Sequence, residues 1–131
     1  MSFTHEIAVR YAEVDQLGVV FNAHYLTYFD EAQTAFLEHI GCRYQELLAA
    51  GTDCMLVHTE IDWLGSLGFG DRPLVAVTCE RVGTTSFTLA FEVRNNGAPT
   101  CRATIVYVCV ATDGSGKRPL PDSQRSKASN W

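Results

Sequence analysis

Three residues in the stretch from Tyr11 to Tyr25 could act on an activated acyl group. Asp15 is a carboxylate placed in a loop, Asn22 stands where a helix begins, and His24 follows in its first turn. Gly18, three residues after Asp15, lets the chain turn sharply. A carboxylate of ordinary pKa, near ~3.9, is ionised at neutral pH and can attack a carbonyl carbon or activate water. A helix start carries unpaired N–H groups and partial positive charge, which suits a developing oxyanion. A thiol of pKa about 8.5 leaves far more readily than an alcohol. A site of this kind, with no evident general acid, is adequate for a thioester and poor for an amide.

Each residue also has a plainer reading. An Asp before a Gly in a loop ordinarily binds its own backbone. His24, neutral beside a helix N-terminus, can donate or accept one hydrogen bond or serve only as a packed histidine. His5 and His58 fall on strand-like runs and read as packing residues, and Glu31 ranks second among the carboxylates on a solvent-facing helix position. Tyr25 is a core residue by spacing that can also line a pocket.

The elements that position these residues follow from hydrophobic period. Tyr25, Phe29, Ala32, Phe36 and Ile40 recur at steps of three and four, with Leu26 and Leu37 widening the stripe. This predicts a long helix capped by Asn22 and stopped at Gly41, with a sheet wrapped around it. Phe3, His5, Ile7, Val9 and Tyr11 alternate with polar partners and predict a first strand. A short helix follows between Cys42 and Gly51. Cys54 to Leu64 reads as a long strand with Met55, Val57, Ile61 and Trp63 on one side. Leu74 to Val82 and Ser86 to Arg94 alternate cleanly, and Asn95-Asn96-Gly97 predicts a hairpin turn. Arg102 to Ala111 is nearly all apolar and reads as a strand covered on both faces. The order strand, helix, run of strands indicates an α+β fold.

The string Tyr11, Asp15-Gln16-Leu17-Gly18, Val20, Asn22, Tyr25, with Phe29 and Glu31-Ala32 after it, resembles the hotdog-fold acyl-CoA thioesterases of the 4-hydroxybenzoyl-CoA thioesterase type. Gly70-Asp71, Gly83-x-x-Ser86-Phe87 and Arg118-Pro119-Leu120-Pro121 extend the resemblance over nearly the whole chain. It implies an antiparallel five-stranded sheet wrapped around a long central helix, with active sites at a subunit boundary. It implies Asp15 as nucleophile or general base, helix amides near Asn22 as the oxyanion hole, and His24 as a third catalytic candidate. Gly18, Val20, Phe21, Tyr25, Phe29, Trp63, Thr85 and Ser86 are the expected substrate-binding residues. The sequence departs from the pattern at Thr84 and Thr85, where some relatives carry basic residues that meet the coenzyme A phosphates. Arg81, Arg94 and Arg102 lie near in sequence, with facing unread.

The 131 residues predict a single domain over 1–131, with 117–131 a polar tail. Apolar content of 47% and charged content of 19% are ordinary for a globular chain. A net charge of −5 without a basic block argues against nucleic acid. The segment Met1-Ser2-Phe3-Thr4-His5-Glu6 lacks a basic region followed by an apolar one, and no run approaches membrane-spanning length. The five cysteines are odd in number and show no Cys-x-x-Cys. They read as buried reduced thiols, with no metal site and a cytoplasmic location. The expected partners are an acyl-CoA substrate, whose coenzyme A is not a separate cofactor, and further copies of the chain in a homodimer or homotetramer. No nucleophile elbow, metalloprotease motif or phosphate loop competes. The alternative is a non-catalytic hotdog protein that binds an acyl or aromatic ligand.

Overall fold

Alternation along four strands and one helical stripe build a sheet that closes over a helix. The computed structural model describes residues 3–131, the side chain of Ser123 apart. Residues 1 and 2 of the expected domain, and the start of the segment read for a leader, lie outside the described residues. The elements are β1 (Phe3–Glu6), α1 (His24–His39), α2 (Tyr44–Ala49), β2 (Thr52–Trp63), β3 (Leu74–Val82), β4 (Ser86–Asn95), β5 (Ala98–Ala111) and α3 (Asp122–Ala128). All strand pairings are antiparallel, in the order β1-β3-β4-β5-β2. This is the α+β hotdog arrangement, with α1 as the long helix.

The α1 stripe is buried as its spacing demands: Tyr25, Phe29, Ala32, Phe36 and Ile40 all lie in the core. Phe29 packs on Phe91 of β4 with ring centroids 5.0 Å apart. Burying side chains of this size stabilises the fold by about 1.5–3 kcal/mol each. Leu37 joins them, whereas Leu26 is exposed, so the stripe is wider at its C-terminal half. Two buried polar side chains, Gln33 and the Tyr28 phenol, also face inward. The helix ends in a Schellman turn. The Cys42 amide donates to Leu37 O at 2.8 Å and the Gly41 amide to Glu38 O at 3.0 Å, with Gly41 at φ +84°.

Four expectations need correction. The first regular strand ends at Glu6, although the Ile7 and Val9 amides still donate to Pro73 O and Asp71 O at 2.9 and 3.0 Å. A 3-10 turn over Tyr11–Glu13 then carries the chain away. In β2 the register slips between Leu56 and His58. Cys54 and Leu56 therefore share a face with Ile61 and Trp63, while Met55 and Val57 are exposed. One extra residue in a strand reverses every later side chain, and periodicity alone does not locate it. The outer face of β5 is only half covered: Val106 and Val110 keep intermediate exposure. Finally, residues 117–131 are not a free polar tail. Leu120, Gln124 and Ala128 are buried, and the Trp131 ring lies 4.9 Å from His39 and 6.2 Å from Phe36.

Other readings stand. Val75 and Val77 of β3, and Phe87, Leu89, Phe91 and Val93 of β4, point into the core. Asn96 and Gly97 take positive φ in the β4–β5 turn, the conformation such a hairpin requires. All five cysteines are free thiols.

Candidate active site

Asp15 sits at the tip side of a short hairpin laid across the start of α1. Glu13 O accepts the Phe21 amide at 2.9 Å, Val14 bridges Val20, and the Asp15 amide donates to Val19 O at 2.9 Å. Gly18 closes the turn at φ +78°, and its amide donates to Asp15 O at 3.0 Å. The half-buried Asp15 carboxylate accepts the Leu17 amide at 2.8 Å. This local bond is the ordinary Asx-turn of such loops, and it leaves the second carboxylate oxygen without a protein partner among the described residues.

The hairpin is fixed on two sides. On one, the Val20 amide donates to Leu67 O at 2.8 Å, and Val19 bridges Gly68. Asp71 holds that neighbouring loop, accepting the Gly68 amide at 2.7 Å and the Asn95 side-chain amide at 3.2 Å. On the other side, the buried Glu13 carboxylate accepts the Tyr28 hydroxyl at 2.9 Å and the Arg10 amide at 2.8 Å. The Arg10 guanidinium closes on its second oxygen at 2.9 and 3.1 Å. Burial raises the Glu13 carboxyl pKa, but the donors from Arg10 and Tyr28 outweigh it and hold the group below its usual value. Sequence reasoning missed Glu13 and the hydrogen bond that Tyr28 gives it. The Arg10–Glu13 spacing of three was readable, but the partner fifteen residues on was not.

The helix start differs from the expected cap. The N-cap position is Ala23, with no side-chain cap, and Asn22 contributes its backbone. Phe21 O and Asn22 O accept the His24 and Tyr25 amides at 3.0 and 3.2 Å. The amides of Asn22 and Ala23 have no acceptor among the described residues, so this helix start presents two unpaired donors beside the hairpin. His24 is half-buried, its ring 6.2 Å from Phe21 edge-on.

The expected binding residues divide into three groups. Phe21 and Trp63 are about half exposed, at 49% and 48%. Trp63 stands edge-on to Tyr25 at 4.8 Å, which brings β2 to the helix start. Val20, Phe29 and Tyr25 are core residues, with Tyr25 covered in part by the Trp63 ring. Thr85 and Ser86 lie at the far end of the sheet. The hairpin is tied through Asp71 to Asn95, whereas Ser86 begins the same strand, β4, which spans Ser86–Asn95. Ten residues at about 3.3 Å each put roughly 30 Å between these ends, so one chain does not bring Thr85 and Ser86 to Asp15.

The charged side chains resolve as well. Arg94 and Arg102 both close on Glu92, which settles their facing on the outer side of the sheet, and Arg81 is exposed. Glu31 is not without a partner: its carboxylate meets the His5 ring at 2.7 Å, so His5 is a hydrogen-bonding rather than a packing residue. His58 is exposed, 3.4 Å from Glu60. Among the described residues no cluster of three His, Cys, Asp or Glu side chains is placed to hold a metal ion. No described helix is long and apolar enough to cross a membrane.

The clamped Asp15 hairpin thus runs directly into the start of α1 in a hotdog fold. Residues 9–128 match the model of the thioesterase-like superfamily, and the chain belongs to that family and is a thioester hydrolase. It is 28% identical over 123 residues to a 1,4-dihydroxy-2-naphthoyl-CoA hydrolase of Nostoc punctiforme, covering 93% of this chain and 83% of that one. It is 29% identical over 106 residues to a putative acyl-CoA thioesterase of Bacillus subtilis, covering 80% and 77% of the two. A crystallised 1,4-dihydroxy-2-naphthoyl-CoA thioesterase from Synechocystis superposes with a TM-score of 0.89 at 28% identity, over 99% of this chain and 97% of that one.

Proposed function

We propose that the protein hydrolyses a coenzyme A thioester to the free acid and coenzyme A. Asp15 acts as nucleophile, through a mixed anhydride, or as the base that activates water. The Asn22 and Ala23 amides receive the oxyanion, and His24, the next residue of the helix, offers one further hydrogen bond. The observation that carries this reading is a half-buried carboxylate on a hairpin that runs directly into a helix start; among the described residues one carboxylate oxygen and the Asn22 and Ala23 amides have no partner. No cofactor or metal enters this chemistry.

The acyl group is aromatic or of medium chain length. Tyr11, Leu17, Phe21, Trp63 and Phe69 leave apolar surface exposed on the hairpin, the helix start and the neighbouring loop. Each methylene buried there is worth about 0.8 kcal/mol, so kcat/KM rises roughly tenfold or more from acetyl to benzoyl or hexanoyl. Release of free thiol from a panel of acyl-CoAs tests both statements. Rates on acetyl-CoA equal to those on benzoyl-CoA overturn the acyl assignment, and no release from any member overturns the activity.

The working form is a homodimer or homotetramer, with each site at a subunit boundary. β2 is a 12-residue edge strand bearing exposed Met55, Leu56 and Val57, a surface that asks for a partner. Thr85 and Ser86 reach an Asp15 hairpin only if a second copy supplies them. A monomer by light scattering at micromolar concentration contradicts this.

A further inference from the structure

Cys54 of β2 and Cys109 of β5 stand directly opposite each other in the antiparallel register. Cys109 commits its backbone to the other side: its amide donates to Thr85 O at 2.8 Å, and its carbonyl accepts the Arg118 amide at 2.9 Å. The pair is therefore of the non-hydrogen-bonded kind, in which opposed Cα atoms approach to about 4.5 Å and side chains lie closest. A disulfide requires Cα atoms roughly 4.4–6.8 Å apart, so the backbone here already meets the condition. Among the five cysteines this is the one cross-strand pair, since Cys79 faces Leu89 and Cys101 faces Trp63 and Val93.

The thiols already sense each other. The contact between them, then burial, pushes Cys54 up, and the same contact holds Cys109 below its ordinary value. Cys54 is half-buried and lines a cavity of about 340 Å³ with Asp30, Gln33, Tyr44 and Tyr107, which opens a path for a small oxidant. Cys109 is fully buried behind it.

We propose that Cys54 and Cys109 form a dithiol–disulfide couple, oxidised by a peroxide that enters through this cavity. One sulfur of the pair attacks a peroxide oxygen, the O–O bond breaks, and the departing hydroxide takes the thiol proton and leaves as water. The other sulfur then attacks the resulting sulfenic acid at sulfur, and the displaced hydroxide leaves with that thiol's proton as a second water. Two thiols are oxidised, one peroxide is reduced, and the edge strand becomes covalently tied to β5.

The test uses the full chain, reduced, freed of reductant, exposed to hydrogen peroxide, then unfolded and alkylated. The expected result is loss of two alkylatable thiols out of five, regained with dithiothreitol, and a tryptic cross-link to the fragment carrying Cys109. Arg72 precedes Pro73, so trypsin leaves Cys54 and Cys79 on one fragment. The cross-link must persist in Cys79→Ser and vanish in Cys54→Ser. If Cys54→Ser does not fold, fragmentation of the wild-type cross-linked peptide assigns the sulfur directly. Five alkylatable thiols after peroxide, a sulfinic or sulfonic acid at Cys54 without a cross-link, or a cross-link through Cys79 each overturns the proposal.

Discussion

The Tyr28 hydroxyl, in the second turn of α1, donates to the buried carboxylate of Glu13 at 2.9 Å. One bond thereby joins the base of the Asp15 hairpin to the second turn of α1. It fixes the hairpin against the helix although neither residue is among the proposed reacting groups.

Tyr28→Phe leaves the Glu13 oxygen buried and short of a donor. The expected cost is about 1–3 kcal/mol of stability, read by urea unfolding at neutral pH. A cost below the error of that measurement contradicts the clamp.

Glu13 also gives the fold a pH dependence of known sign. Its folded pKa lies below the usual 4.5, so its contribution is fully present above that value and is lost as pH falls through the folded pKa. Glu13→Gln is expected to destabilise most near neutral pH, with the difference from wild type shrinking as the pH falls below 4.5 and through the folded pKa. A difference that grows on acidification would show that the carboxylate is not stabilised by its donors.

Asp15→Asn preserves shape and removes the charge. Its kcat/KM for the best acyl-CoA is expected to fall at least about a hundredfold, with an unchanged circular dichroism spectrum. A variant that keeps most of the wild-type value removes Asp15 from the chemistry.

Gly41→Ala tests the end of α1. At φ +84° an added Cβ is strained, and it would meet the Lys127 ammonium at 2.9 Å, a flexible group that can move aside. The backbone strain decides the outcome, and a loss of about 1–2 kcal/mol is expected in thermal unfolding.

Deleting residues 122–131 removes the Trp131 ring from Phe36 and the buried Gln124 and Ala128 from the core. A lower melting temperature is expected, together with binding of an apolar dye. A truncated chain as stable as the full one would restore the reading of this segment as a free tail.

The sequence by itself determined what depends on local period and local turn chemistry. The buried face of α1, the inward residues of β3 and β4, the Asn96-Gly97 turn and the stop at Gly41 are each specified by residues within a few positions. The Asp15-to-Tyr25 string carried the resemblance to the family that residues 9–128 match. What only the tertiary structure decided depends on residues far apart in the chain. The bulge at Leu56–His58 is a defect of pairing with β5, so Met55 and Val57 face outward against their alternation. The stretch after Lys117 is polar in composition, yet Leu120, Ala128 and Trp131 find α1 and the sheet. Glu13 meets Tyr28, and Cys54 meets Cys109, because folding sets side chains together that sequence spacing leaves apart. For the same reason Thr85 and Ser86, expected to bind substrate together with the Asp15 region, lie a strand's length away within one chain.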